Sequence, residues 1–115
     1  MRVFVDANIL VATLNREYPS FNWSARLLSL HENHNIQLFT SPLCLTITFY
    51  FAAKKSGEIV AKKKIELLCE NIGITTINQE ITEKAAKNQK INDFEEGLQY
   101  YSALHQKCDC IVTED

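Results

Sequence analysis

Several acidic side chains in this chain stand where a fold would present them rather than merely solvate them. Asp6 ends the apolar run Val3-Phe4-Val5 and is followed by Ala7-Asn8-Ile9-Leu10. Cys110-Ile111-Val112-Thr113 is a second short apolar run, and it leads straight into Glu114 and Asp115. Between them, Asn92-Asp93-Phe94-Glu95-Glu96 opens a segment with helical spacing. In an open α/β sheet the carboxyl ends of parallel strands line the binding crevice, so strand-end acids there are placed for chemistry more often than for packing. Converging carboxylates repel one another unless a cation sits between them. An oxygen-only donor set suits Mg²⁺ or Mn²⁺, ions that keep water ligands, polarise a phosphodiester and lower the pKa of an attacking water.

The spacing of the middle block supports the same grouping. Each helical residue advances by about 100°, so Asp93, Glu96 and Tyr100 share one side while Phe94, Leu98 and Tyr101, flanked by Gly97 and Leu104, form the apolar stripe expected to be buried. A bland role competes, because Asp93-x-x-Glu96 and Asn92-x-x-Glu95 both have the form of a capping box. Asn8, two residues after Asp6, and Thr113, two before Asp115, are candidates for fixing carboxylate orientation. A turn cap and an ordinary strand residue are their structural alternatives.

The elements that must position these acids can be read from periodicity and punctuation. Strands are expected at the start of the chain, over 36–40, over 74–77 and over 110–113. Helices are expected over 24–30, 42–55, 59–70, 82–88 and 94–107. The segment after Ser41-Pro42 carries Thr46, Ile47, Thr48, Phe49, Tyr50 and Phe51, residues that favour strands. An N-cap serine, a proline at the first helical position and a stop near Gly57 decide for helix. Gly73 is expected at the position after the helix over 59–70, closing it. Strands alternating with helices imply an α/β fold, a three-layer α/β/α sandwich around a mainly parallel sheet.

Composition bounds the function without naming it. The chain has 115 residues, 46% hydrophobic and 23% charged, with 3 Gly and 2 Pro, which describes one ordinary globular domain over 1–115. A net charge of -2 counts against a binder that grips nucleic acid by bulk electrostatics alone. The 4 cysteines include no C-x-x-C pair, and the first residues do not form a signal peptide, so reduced thiols in the cytoplasm are expected. The longest apolar stretch, 43–53, is too short for a membrane span and reads as a core element.

With these blocks in view, the chain resembles the PIN domains, the fold of VapC-type toxin ribonucleases. The segments 3–10, 93–100 and 111–115 are similar to the three motif blocks of that family and occur in the same order. The resemblance implies a Mg²⁺- or Mn²⁺-dependent endoribonuclease that hydrolyses RNA phosphodiesters, commonly a homodimer and commonly neutralised by an antitoxin protein. It implies Asp6, Glu96 and Asp115 as metal-site acids and Asp93 as an accessory acid, with glutamate at 96 where aspartate is more usual. Two departures stand out. Ile47 occupies the helix position where many relatives carry an acid. Relatives also continue past the last acid by a loop and strand, so an edge strand is expected to be missing after Asp115.

Two other readings share these residues. One is a catalytically weak or inactive PIN-like module that binds RNA or protein, favoured by Ile47. The other is a phosphoryl-transfer enzyme of the haloacid-dehalogenase kind, which wants an aspartate where this chain has Asn8. His31 and His34 read as a solvated helix end, and His105, Cys108 and Cys110 lack zinc-ligand spacing. Lys54, Lys55, Lys62, Lys63 and Lys64 are read as a solvated helix face, with an RNA-tracking strip as the alternative.

Overall fold

The computed structural model describes residues 1–15, 26, 29–32 and 35–113. Its strands are β1 (Arg2–Val5), β2 (Gln37–Thr40), β3 (Gly73–Ile74) and β4 (Cys110–Val112). Its helices are α1 (Ala7–Asn15), α2 (Pro42–Ser56), α3 (Glu58–Asn71), α4 (Gln79–Lys87) and α5 (Phe94–His105), with a 3-10 turn at Leu30–Glu32. The expected helix over 24–30 falls largely outside the described residues. Every pairing is parallel, in the order β3-β2-β1-β4.

β1 lies at the centre and explains the layering. Val3 and Val5 point to one face and Phe4 to the other, yet all three are buried, so helices cover both sides. The main core joins these residues to Ile9 and Leu10 of α1, Cys44 and Leu45 of α2, Leu68 of α3 and Ala103 of α5. A smaller cluster of Ile81, Ala85 and Leu98 holds α4 against α5, with Leu43, Ile77 and Tyr101 packed on it.

α2 is a helix despite its strand-forming residues. Ser41 caps it, its side chain accepting from the Cys44 amide at 3.0 Å, and Pro42 needs no amide partner at the first position. Thr46 and Thr48 turn their hydroxyls back onto the carbonyls of Pro42 and Cys44, which satisfies them inside the helix. Gly57 ends α2 and starts α3 at φ 87, a conformation that favours glycine. The stretch 43–53 is core on one side only, because Tyr50 and Phe51 are exposed.

Three local expectations are corrected. Gly73 is not a helix cap: α3 stops on Ile72 in extended conformation, and Gly73 belongs to β3. It is glycine because a Cβ there would lie 2.6 Å from the Phe39 ring. The strand expected over 74–77 is shorter, since Ile77 leaves the sheet to pack on the smaller cluster. Phe94 is not part of the buried stripe of α5 but is 49% exposed.

Candidate functional site

The parallel register brings the carboxyl ends of β1 and β4 together. Val5 pairs with Val112, so Asp6 and Thr113 follow side by side at the same edge of the sheet. The Asp6 amide donates to the Val112 carbonyl at 3.0 Å, which fixes the backbone that carries the acid. Its carboxylate is held at both oxygens: Oδ1 accepts from the Ala7 amide at 2.7 Å and Oδ2 from the Thr113 hydroxyl at 2.8 Å. Asn8 Nδ2 donates to the Thr113 hydroxyl oxygen at 3.1 Å, completing a relay from Asn8 through Thr113 to Asp6. The Cys44 thiol lies 3.9 Å from Asp6 Oδ1, a sulfur contact from inside the core.

Asp6 also stands at the N-terminus of α1, with the Ile9 and Leu10 amides directed at its carbonyl. Helix-end amides favour a negative charge there, so the position suits an ionised carboxylate.

α5 delivers the other acids. Asp93 caps it, Oδ1 accepting from the Glu95 amide at 2.9 Å and from the Glu96 amide at 3.4 Å. The residue that caps the helix also lines the cleft. A cleft of about 470 Å³ is lined by Asp6, Asn8, Asp93, Glu95, Glu96 and Thr113, together with Ile91, Gln99, Tyr100 and Ile111. The helical spacing that grouped Asp93, Glu96 and Tyr100 therefore puts all three on one cleft. Asp115 lies outside the described residues.

Glu95 is the acid that sequence reasoning missed, having taken it only as a cap. It borders this cleft and also a neighbouring hollow with Asp6, Asn8, Val11, Ile47 and Phe51. Its pKa is raised, first by partial desolvation and then by the negative charges of Asp93 and Asp6. Ile47 is half-buried in that same hollow and also packs on the main core. Gln99 was missed too, although its place three residues after Glu96 puts it on the same helix face.

The donors fit a hard divalent cation in kind, being carboxylates with hydroxyl and amide neighbours and no thiolate or imidazole at the cleft. A cation would also offset the negative charges of Asp93 and Asp6 that, after desolvation, raise the Glu95 carboxyl. Among the described residues no three such groups stand close enough to hold an ion, so a complete ligand set calls on Asp115 or on movement of the glutamates.

The lysines divide. Lys64 donates to the Leu14 carbonyl at 3.2 Å, and Lys55 donates to the Asn15 carbonyl. Both tie down the end of α1 instead of tracking a ligand, as cations at helix C-termini do. Lys54 sits over the Tyr50 ring at 4.5 Å.

A family model described as the PIN domain matches residues 2–115. The chain belongs to the PIN domain family, which displaces the haloacid-dehalogenase reading. Among solved structures it is similar to VapC20 of Mycobacterium tuberculosis, a toxin that cleaves the sarcin-ricin loop, with TM-score 0.78 and 14% identity over 98% of this chain and 89% of the other. It is also similar to a chain of VapBC2 from Rickettsia felis bound to a promoter DNA fragment, with TM-score 0.70 and 16% identity over 99% and 88% of the two chains. At these identities the likeness speaks for the fold. A comparison with curated proteins finds no match.

Proposed function

We propose that this protein is a metal-dependent endoribonuclease that hydrolyses RNA phosphodiesters, the toxin of a type II toxin-antitoxin pair. The observation that carries the reading is one cleft at the carboxyl edge of a parallel sheet bearing Asp6, Asp93, Glu95 and Glu96, in a chain of the PIN family. Two neighbours of the same fold support it, one a VapC toxin that cleaves the sarcin-ricin loop and one from VapBC2 bound to a fragment of its promoter DNA.

Asp6, Glu96 and Asp115 would hold Mg²⁺ or Mn²⁺, with Asp93 assisting through water. When bound, such an ion supplies Lewis-acid polarisation of the phosphodiester and a more acidic water. The work of the chain itself is positional. Thr113 and the Ala7 amide fix both oxygens of Asp6, and Asn8 orients Thr113, so the carboxylate meets a ligand without reorganising. Asp93 spends one oxygen on the helix cap and keeps the other for the cleft.

The partners proposed are RNA, an antitoxin protein and a second copy of the chain, in the cytoplasm. Exposed Tyr50 and Phe51 on α2 are the apolar surface that favours a dimer. No helix among the described residues is long and apolar enough to cross a membrane. A weak or inactive RNA- or protein-binding module is the second reading, favoured by Ile47 in place of an acid. Incubating the protein with single-stranded RNA in Mn²⁺ and in EDTA separates the two. Cleavage in Mn²⁺ alone supports the enzyme; intact RNA in both supports the module.

A further inference from the structure

The cleft is not lined by acids alone. It is walled as well by Ile91, Tyr100 and Ile111, with Gln99 among them. Tyr100 is 43% exposed and Ile111 39% exposed, so their apolar surfaces face solvent beside the carboxylates. The Tyr100 ring is braced edge-on against Tyr101 at 5.1 Å between centroids, and the Tyr101 hydroxyl accepts from Asn88 Nδ2 at 2.9 Å. An exposed aromatic ring anchored in this way is preorganised to receive another flat ring.

Gln99 supplies an independent observation. It is 6% exposed, and its carboxamide has no hydrogen-bond partner among the described residues. Among the described residues Asn15 Oδ1 is the fully buried side-chain polar atom left without a partner, so the Gln99 amide instead opens on the cleft it lines, where a ligand can pair with it. An amide offers a donor and an acceptor side by side, which is the pattern of a nucleobase edge. Gln99 and Tyr100 follow Glu96 by three and four residues, about one helical turn along α5. The cleft, at about 470 Å³, is of the size of small-molecule sites.

We propose that Gln99, Tyr100, Ile91 and Ile111 form a subsite for one unpaired RNA base next to the scissile phosphate, with the apolar group stacking the base and Gln99 reading its edge. This rests on the ribonuclease reading for its substrate. Only an unpaired base can be splayed out to meet an aromatic ring in this way, so the substrate is single-stranded at that position.

The test walks 2-aminopurine, whose fluorescence is quenched by stacking, along a short single-stranded RNA bound by the full chain in Ca²⁺ to suppress turnover. Cleavage of the same RNAs in Mn²⁺ is measured in parallel. The expected result is quenching at one position beside the cleavage site, abolished by Tyr100→Ala with about tenfold weaker binding and retained in Tyr100→Phe. Gln99→Leu keeps the quenching and flattens the base preference at that position. Melting curves check its fold, and Gln99→Glu, of the same length, serves if the leucine variant unfolds. If the wild type cleaves in Mn²⁺ while Tyr100→Ala leaves quenching and affinity unchanged, the subsite is wrong and the nuclease reading stands. If quenching behaves as expected but no RNA is cut, the subsite stands and the nuclease reading falls.

Discussion

Thr113 donates its hydroxyl to Asp6 Oδ2 across 2.8 Å, joining the ends of two strands that lie 107 residues apart in the chain. The bond leaves one oxygen of the strand-end acid aimed by β4 and the other by the Ala7 amide. Groups that orient a ligand in this way typically change affinity or activity by 10–100-fold when removed. Thr113→Val should therefore lower Mn²⁺ affinity and RNA cleavage by at least about tenfold, and Thr113→Ser should restore most of both. Equal loss in the serine variant would mean that the methyl group, and not the hydroxyl, matters.

Ile47 borders the hollow that also holds Asp6 and Glu95. Placing an acid there adds a charge near a cation, an interaction of several kcal/mol at an effective dielectric of about 20, reduced by desolvation to a net gain of ~1–2 kcal/mol. Ile47→Glu is expected to tighten Mn²⁺ roughly tenfold by calorimetry. The side chain also packs on the main core, so some loss of melting temperature accompanies the gain. Unchanged affinity with a large fall in melting temperature would show that Ile47 serves packing alone.

Glu95 provides a pH dependence whose sign can be stated. Its carboxyl is raised in the folded protein by desolvation first and by Asp93 and Asp6 second. The unfolded chain therefore loses this proton more readily than the folded one. The stability associated with Glu95 is fully present below the ordinary glutamate pKa and is lost as pH rises through the raised value. At neutral pH, without metal, Glu95→Gln should raise the melting temperature slightly, and the gain should vanish in acid. A gain that persists at low pH would point to a cause other than charge.

Much of the architecture was legible because its signals are local. The apolar run before Asp6 announces a buried parallel strand and the one before Thr113 a parallel strand too, though that one lies at the sheet edge and is only half-buried, and Ser41-Pro42 outweighs the strand-forming residues of α2. What stayed hidden depends on tertiary context. Gly73 resembles a helix stop in sequence, yet its reason is the Phe39 ring that packs where a Cβ would stand. Ile77 leaves the sheet because a second apolar cluster claims it. Periodicity brought Asp93, Glu96 and Tyr100 to one side but did not reveal that Glu95 shares a hollow with Asp6, because that is set by how α5 packs against the sheet. The strip of lysines could not be apportioned until Lys55 and Lys64 were seen on the end of α1.

The most direct measurement compares wild type and Asp6→Asn on single-stranded RNA in Mg²⁺ or Mn²⁺. Asparagine keeps the size and the helix-capping ability of aspartate, so circular dichroism should match and the melting temperature should stay within about 4 °C. Turnover should fall by more than about a hundredfold, beyond the effect of an orienting group, because the carboxylate itself is the proposed ligand. Cleavage by the asparagine variant at the wild-type rate, or wild-type cleavage undiminished in EDTA, would contradict metal-dependent hydrolysis at Asp6.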